Sequence, residues 1–476
     1  MASSFSGLNT AYTGLSAARA ALEITGQNVA NANTEGYTRQ RISQSPMAQT
    51  TLATYSTPSS VGDGVLVTGV QRINDAVVDA RVNSTAASAA YWNAAASAAS
   101  AVETALNEPG KNGLSQVMSD FWADWQQMAN NPGNAAIGNA LIGQGKLVAS
   151  TLSAGYSAAD AAWSDARSAA VSTVATINAT AAKIADLNTS IRSLTAAGGN
   201  VNSLLDQRDA AITTLAKLTG ASSRGNPDGT IDVIVGGNAL VSGSTTRAVE
   251  LAGSPNMAGA AGSPVRLGWK DMPGSTVSMD GGEMAARLAS LQAANGGNGG
   301  VYAEAAQAYN DAASSIAAKV NALHEQGTTS TGLTSTPGAP LDFFRFDSPT
   351  GPPATNLQVV PTSVAGIAAA DGTKGRLDNS IADQIAQIGT AADSPDRAWG
   401  TYVALIGSQS ATADGRAMTA GTAATAATTA QTSVGGVDLD EETANLVIYQ
   451  HAYQASARVI STINDVLDTL INMGTR

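Results

Sequence analysis

A chain of 476 residues exceeds the usual ceiling for one hydrophobic core, and its 43% apolar content, with only 4% aromatics, is largely alanine, which buries little area but favours helix. Charged residues make up 13%, about half of the ~25% usual in soluble domains, and the formal net charge of −12 gives no general attraction to phosphate backbones or anionic lipid, which argues against nucleic acid as a partner. There is no cysteine, which excludes disulfides, thiolate catalysis and cysteine-ligated zinc or iron–sulfur centres.

The first predicted element is a helix with a narrow heptad seam. Leu8, Leu15, Leu22 and Val29 recur every seven residues, and Ala11, Ala18 and Thr25 follow the first three at a distance of three. Arg19 and Glu23 stand where a Sec-type leader needs an unbroken apolar segment, so none is expected. The seam stops at Asn31, Ala32, Asn33, Thr34, Glu35 and Gly36, where two asparagines and a glycine favour a turn. The alanine-rich stretch 86–101 is broken by Ser88, Asn93 and Ser97, too polar for a membrane span.

Val174, Ile177, Ala181, Ile184, Leu187, Ile191 and Leu194 keep three-and-four spacing and predict a long helix that stops at Gly198 and Gly199. The turn Asn226, Pro227, Asp228, Gly229 leads to Ile231, Val233 and Val235, then Gly236 and Gly237, then 239–241. That is a hairpin, with 265–269 and 275–279 as further strands. Tyr302, Ala306, Tyr309, Ala313, Ile316, Val320 and Leu323 predict a second long helix ending by Gly327. The segment 328–378 is rich in Pro, Gly, Thr and Ser but carries Phe343, Phe344, Phe346 and the apolar run 357–360, again strand-like. Finally Leu439, Leu446, Tyr453, Ile460 and Leu467 restore the heptad, backed by Tyr449, Ile463 and Leu470, and predict a helix over 438–473 about 50 Å long at 1.5 Å per residue. Trp92, Trp122, Trp125, Trp163 and Trp399 fall in helical stretches, where they fill gaps that alanine leaves.

The fold predicted is mainly α with a β-rich insert. Terminal coiled-coil limbs occupy 1–45 and 431–476, and an elongated helical rod domain occupies 46–220, continued by 283–327 and 379–430. An outer β domain occupies 221–282, continued by 328–378. Neither terminal stripe has a large core beside it in sequence, so the two are expected to pair with each other and with further copies.

No reactive constellation emerges. His324 and Glu325 begin an HExxH pattern that Thr328 breaks, and His451 reads as a surface or interface residue of the last helix. The run GNALIGQGK at 138–146 fails as a phosphate loop, with Ala140 for the first glycine and Leu147 after the lysine. Asp438, Asp440, Glu441 and Glu442 are the acidic residues expected at a helix N-terminus. No catalytic, cofactor or metal site is predicted, and the chain does not read as an enzyme.

Residues 30–41, ANANTEGYTRQR after TGQNV, and residues 436–473, GVDLDEETANLVIYQHAYQASARVISTINDVLDTLINM, closely resemble the two terminal signatures shared by flagellar rod, hook and hook-associated proteins. The interior runs LLDQRDAAITTLAKLTG from 204, VGDGVLVTGVQRINDAVVDARV from 61 and VNALHEQG from 320 resemble the hook-associated members of that family. The resemblance implies export through the flagellar type III pathway, an export chaperone on the C-terminal helix, and a place outside the cell at the hook–filament junction. There a ring of identical subunits would lie between hook protein and the third hook-associated protein. Another axial subunit, a hook or rod protein, and a secreted adhesin on a flagellar scaffold stay open as alternatives. The candidate assembly interface comprises Leu8, Leu15, Leu22 and Val29; Asn31, Asn33, Gly36 and Tyr37 of the turn; and Leu439, Leu446, Tyr449, Tyr453, Ile460, Ile463, Leu467 and Leu470.

Overall fold

A computed structural model describes residues 2–47, 64–375 and 377–474. In chain order the elements are α1 (Ala2–Asn31), β1 (Gln40–Pro46), β2 (Val65–Arg72), α2 (Ala76–Leu106), α3 (Leu114–Asn130), α4 (Ala135–Ala196) and α5 (Asn202–Thr219). Then come β3 (Ser222–Gly225), β4 (Ile231–Val235), β5 (Asn238–Ser242), β6 (Thr245–Thr246), β7 (Val249–Ala252), β8 (Arg266–Trp269), α6 (Gly282–Ser290) and α7 (Val301–His324). The chain continues through β9 (Phe344–Phe346), α8 (Pro353–Asn356), β10 (Leu357–Val359), α9 (Ser380–Ala386), α10 (Pro395–Gly435) and α11 (Leu439–Gly474).

The helices begin and end on local chemistry. Asp75 Oδ1 accepts from the Val77 amide at 2.8 Å and caps α2, Asn134 Oδ1 accepts from Ala136 at 3.0 Å and caps α4, and Asp438 Oδ1 accepts from Asp440 at 2.9 Å and caps α11. The 62-residue α4 stops where its glycines predict. Gly198, at φ 73°, and Gly199 donate to the carbonyls of Thr195 and Leu194, a Schellman closure that a β-carbon at Gly198 would strain.

The chain divides into two compact units, Met1–Ala86 with Ala179–Arg247 and Gly421–Arg476, and Ala87–Asn178 with Ala248–Ala420. In the first, α1 pairs with α11, the antiparallel hairpin β1–β2 lies on α1, and β3, β4, β5 and β6 form one antiparallel sheet. The predicted hairpin is present: Gly236 and Gly237, both at positive φ, make the two-residue turn between β4 and β5. Asn188 of α4 seats this sheet. Its amide donates to the carbonyls of Ile231 at 2.8 Å and Gly243 at 2.7 Å, while its Oδ1 accepts from the Ile231 amide and Arg208 Nη1, each at 3.2 Å. Both donors and both acceptor positions of the buried side chain are used.

The second unit has an aromatic core in which Phe121 and Trp125 of α3 meet Phe343 at ring-centroid distances of 5.8 and 5.2 Å. Asparagines attach its strands to helices as well. Asn178 of α4 exchanges two hydrogen bonds with the backbone of Val249, and Asn321 of α7 accepts from the amides of Phe343 and Phe344 and donates to the Phe344 carbonyl. The predicted strands at 265–269 and around Phe344 and Leu357 are observed as β8, β9 and β10. Trp92, Trp122, Trp125, Trp163 and Trp399 lie in helices as expected, while the sixth tryptophan, Trp269, ends β8, and the rings of Trp125, Trp163 and Trp399 are fully buried.

Two strand expectations are corrected. The segments 221–282 and 328–378, expected to form one outer β domain, are divided: β3 to β6 belong to the first unit, whereas β7–β8 and β9–β10 are separate pairs in the second. The cause is local, because each set is bonded to a helical asparagine rather than to the other strands. Residues 275–279 are not a strand. Val277 donates to the Leu267 carbonyl, but the Trp269 amide is taken by the Ser275 hydroxyl, so the ladder with β8 does not propagate. The run 138–146 lies inside α4 and forms no loop.

Candidate assembly interface

The two ends of the chain meet as antiparallel helices. Asn28 Nδ2 donates to Glu442 Oε2 at 3.1 Å, a β-carbon on Gly14 would lie 3.3 Å from Ser456 Oγ, and one on Gly7 would lie 3.5 Å from Ile463 Cδ1. Small residues make this close approach possible. On α1 the buried side chains are Ala11, Ala17, Ala18, Ala21, Ile24, Thr25 and Asn28, not the leucines.

The leucine stripe is left partly open: Leu8, Leu15 and Leu22 are half-buried and Val29 is exposed. In the turn, Asn31 is half-buried and donates to the Gln27 carbonyl, Asn33 and Gly36 are exposed, and Gly36 sits at φ 77°, which explains the glycine. On α11, Leu446, Tyr449, Ile460, Ile463 and Leu467 are half-buried, whereas Leu439, Tyr453 and Leu470 are exposed. Ile448, Val459, Val466 and Leu470 are at least 48% exposed and, at 100° per residue, fall within about 40° of one another around the helix. Pairing within the chain therefore leaves an apolar stripe open on α11.

At the inner end of the pair lies a polar cluster that heptad counting alone does not reveal. Asn28 is 1% exposed and saturated: it donates to the Gln40 carbonyl and Glu442, and accepts from the Tyr37 hydroxyl at 2.8 Å and the Gln40 amide at 3.0 Å. Arg39 Nε donates to Glu442 Oε1 at 2.7 Å, and both its Nη atoms donate to Glu441 at 2.8 and 2.9 Å. The Arg39 amide also donates to the Gly435 carbonyl, which ties the turn to the α10–α11 joint. Burial, then the carboxylates of Asp206 and Glu442, push the Tyr37 hydroxyl up to about 12, so it stays a donor. The bond to Arg39, then its charge, holds Glu441 below the usual carboxylate range.

A second set of contacts fixes the hairpin to α5. Arg72 bonds Asp209 at 2.7 Å and lies 2.9 Å from Asp206 as an ion pair, while Asn202 donates to Gln40 Oε1 and to the Val70 carbonyl. Of the residues expected from sequence, Tyr37 belongs to the cluster. Asn28, Arg39, Gln40, Glu441 and Glu442 were missed. A signal existed: Asn28 continues the seven-residue series Gly7, Gly14, Ala21, and Glu442 opens the series Tyr449, Ser456, Ile463, each a polar residue at a seam position.

The two histidines differ. His324 is fully buried, its Nδ1–H donating to the Leu341 carbonyl at 2.5 Å and its Nε2 accepting from the Ala368 amide at 2.9 Å, so neither nitrogen is available for chemistry. Burial pushes its pKa down to about 4. His451 is exposed on α11. Among the described residues no group of three or more His, Cys, Asp or Glu could hold a metal, and no helix is long and apolar enough to cross a membrane.

Family models match the sequence at both ends. Residues 8–38 match the flagella basal body rod protein model and residues 433–473 the C-terminal model of the flagellar basal body rod FlgEFG proteins. A helical chain with these paired ends is a structural subunit of the flagellar axis. Residues 99–344, more than half of the chain, match the model of the flagellar hook-associated protein FlgK helical domain, and the chain belongs to that family. Flagellar hook-associated protein 1 of Bacillus subtilis is 28% identical with 99% of each chain covered, and that of Escherichia coli is 27% identical over 98% of this chain and 99% of its own. The solved structure of the flagellar hook junction protein FlgK from Burkholderia pseudomallei shares the fold, with a TM-score of 0.62 at 14% identity, over 74% of this chain and 100% of that one.

Proposed function

We propose that the chain is a structural subunit of the hook–filament junction, exported to the cell exterior and assembled there through its terminal helix pair, with no catalytic activity of its own. The observation that carries this reading is the apolar surface left after α1 and α11 have covered each other: Ile448, Val459, Val466 and Leu470 face solvent, and Leu8, Leu15 and Leu22 are half open. A contiguous apolar stripe on a water-exposed helix marks a protein contact. Its partners would be identical copies in a ring, hook protein on one side, the third hook-associated protein on the other, and an export chaperone on α11 before assembly. The names of the full-length relatives support the junction over a hook or rod position.

Deletion of the gene tests the reading. The expected result is cells with complete hooks and no attached filaments, restored by the wild-type chain. Cells without hooks would place the subunit earlier in the axis and overturn the junction assignment.

A further inference from the structure

The α1–α11 pair aligns Asn28 with Glu442, Gly14 with Ser456 and Gly7 with Ile463, so every step along one helix is matched by an equal and opposite step along the other. Both seams repeat every seven residues. Apolar packing alone is therefore degenerate. Sliding α11 by one heptad, about 10 Å at 1.5 Å per residue, would bring Gly14 opposite Ile463, Ala21 opposite Ser456 and Gly7 opposite Leu470. These are again small residues facing larger ones, as Gly7 already faces Ile463.

The polar cluster does not repeat. The same slide would set Tyr449 against Asn28 and carry Glu442 beyond the end of α1, stripping Asn28 and Arg39 of their carboxylate partner. A slide the other way would press the Glu442 carboxylate onto Ala21. Each alternative leaves a buried polar group without its bonds, which is costly, whereas the observed alignment satisfies every polar atom of Asn28. We propose that Asn28, Arg39 and Glu442 form the register-setting site of the terminal helix pair, selecting one alignment from a series spaced by seven residues. Single buried polar groups fix register in coiled coils by the same physics. Register decides which side chains of α1 and α11 share a surface, and it is in this consequence that the proposal rests on the assembly reading above.

Because the chain has no cysteine, introduced pairs report register without background. Gly14→Cys with Ser456→Cys reads the observed alignment; Gly14→Cys with Ile463→Cys reads the slipped one, whose partners now lie about 10 Å apart along the helix, too far for a disulfide. Oxidation is carried out on full-length monomer isolated by gel filtration, so failure to assemble has no bearing on the result. With the cluster intact the first pair should cross-link and the second should not. Adding Asn28→Leu and Glu442→Leu should raise the second pair from background to a yield comparable with the first, whereas Glu442→Gln, which keeps a hydrogen bond to Asn28, should not. The proposal is overturned if the leucine variants still cross-link at the first pair alone, since register is then set elsewhere. It is equally overturned if both cross-links vanish, because the cluster then holds the helices together without choosing between alignments.

Discussion

Arg39 Nε donates to Glu442 Oε1 at 2.7 Å although 403 residues separate the two in sequence. The Glu442 side chain is 2% exposed and that of Arg39 16%, so the pair is withdrawn from water on the carboxylate side. Arg39→Ala should cost on the order of 3 kcal/mol, because it strands a buried charge, while Arg39→Met with Glu442→Leu should cost less, because it leaves no buried charge and removes only one of the bonds of Asn28. Guanidinium unfolding of the three proteins measures this. Equal losses in the single and double variants would show that the ion pair matters through packing alone.

How much of this was legible depends on distance along the chain. The stop of α4 at Gly198, the Gly236–Gly237 turn and the existence of each terminal helix follow from local spacing and turn chemistry, which one segment contains whole. The seam was harder. Its Ala11, Ala18 and Thr25 positions are buried as the heptad reading expects, but hydrophobicity also favours Leu8, Leu15 and Leu22, and because close helix approach favours small residues these stay half-buried while Ala21 is buried. Long-range bonds are harder still: the heptad positions of Asn28 and Glu442 show that each lies on a seam but not that they meet, and Arg72 to Asp209 leaves no periodic trace at all. The same holds for the asparagines that split the strands between two units: Asn178 and Asn188 are ten residues apart on one helix and serve different sheets.

His324 gives a pH dependence with a definite sign. Free imidazole takes up a proton near pH 6.5, but the buried ring does so only near 4, so between those values the unfolded chain binds more protons and stability falls as pH drops. The loss sets in below about pH 6.5 and reaches about 3 kcal/mol by pH 4. Carboxylates titrate in both proteins, so the useful measurement is the difference between the stability–pH curves of wild type and His324→Gln. The wild-type curve should be steeper between pH 6.5 and 4, and parallel curves would refute the assignment.

Asn188→Ala removes four hydrogen bonds and leaves the amide and carbonyl of Ile231, the Gly243 carbonyl and one guanidinium nitrogen of Arg208 without that partner. With several buried groups unsatisfied, the expected loss is about 3 kcal/mol or more. Amide exchange should quicken at Ile231, whose N–H Asn188 accepts, while Phe343 and Phe344, held by Asn321, should keep their protection. Uniform acceleration in both places would mean that the two units unfold together.

The seam and the interior of α4 make a direct comparison between assembly and folding. Ile184 is fully buried on α4, so Ile184→Asp places a carboxylate where no partner waits, and the loss of apolar burial and the desolvation cost add. Its melting temperature should fall by more than about ten degrees, a shift that a few kcal/mol produces in a domain of ordinary size. Leu15 is half-buried on α1, and a carboxylate there can reach water, so Leu15→Asp should move the melt by only a few degrees, with Ile460→Asp, half-buried on α11, close to it. Filament counts should reverse the order of interest: Leu15→Asp, folded yet carrying a charge on the surface proposed to meet a neighbouring copy, should leave hooks bare. Wild-type numbers of filaments on cells carrying Leu15→Asp would remove the leucine stripe from the interface, and a collapse of the Leu15→Asp melt to that of Ile184→Asp would make the stripe part of the chain's own core.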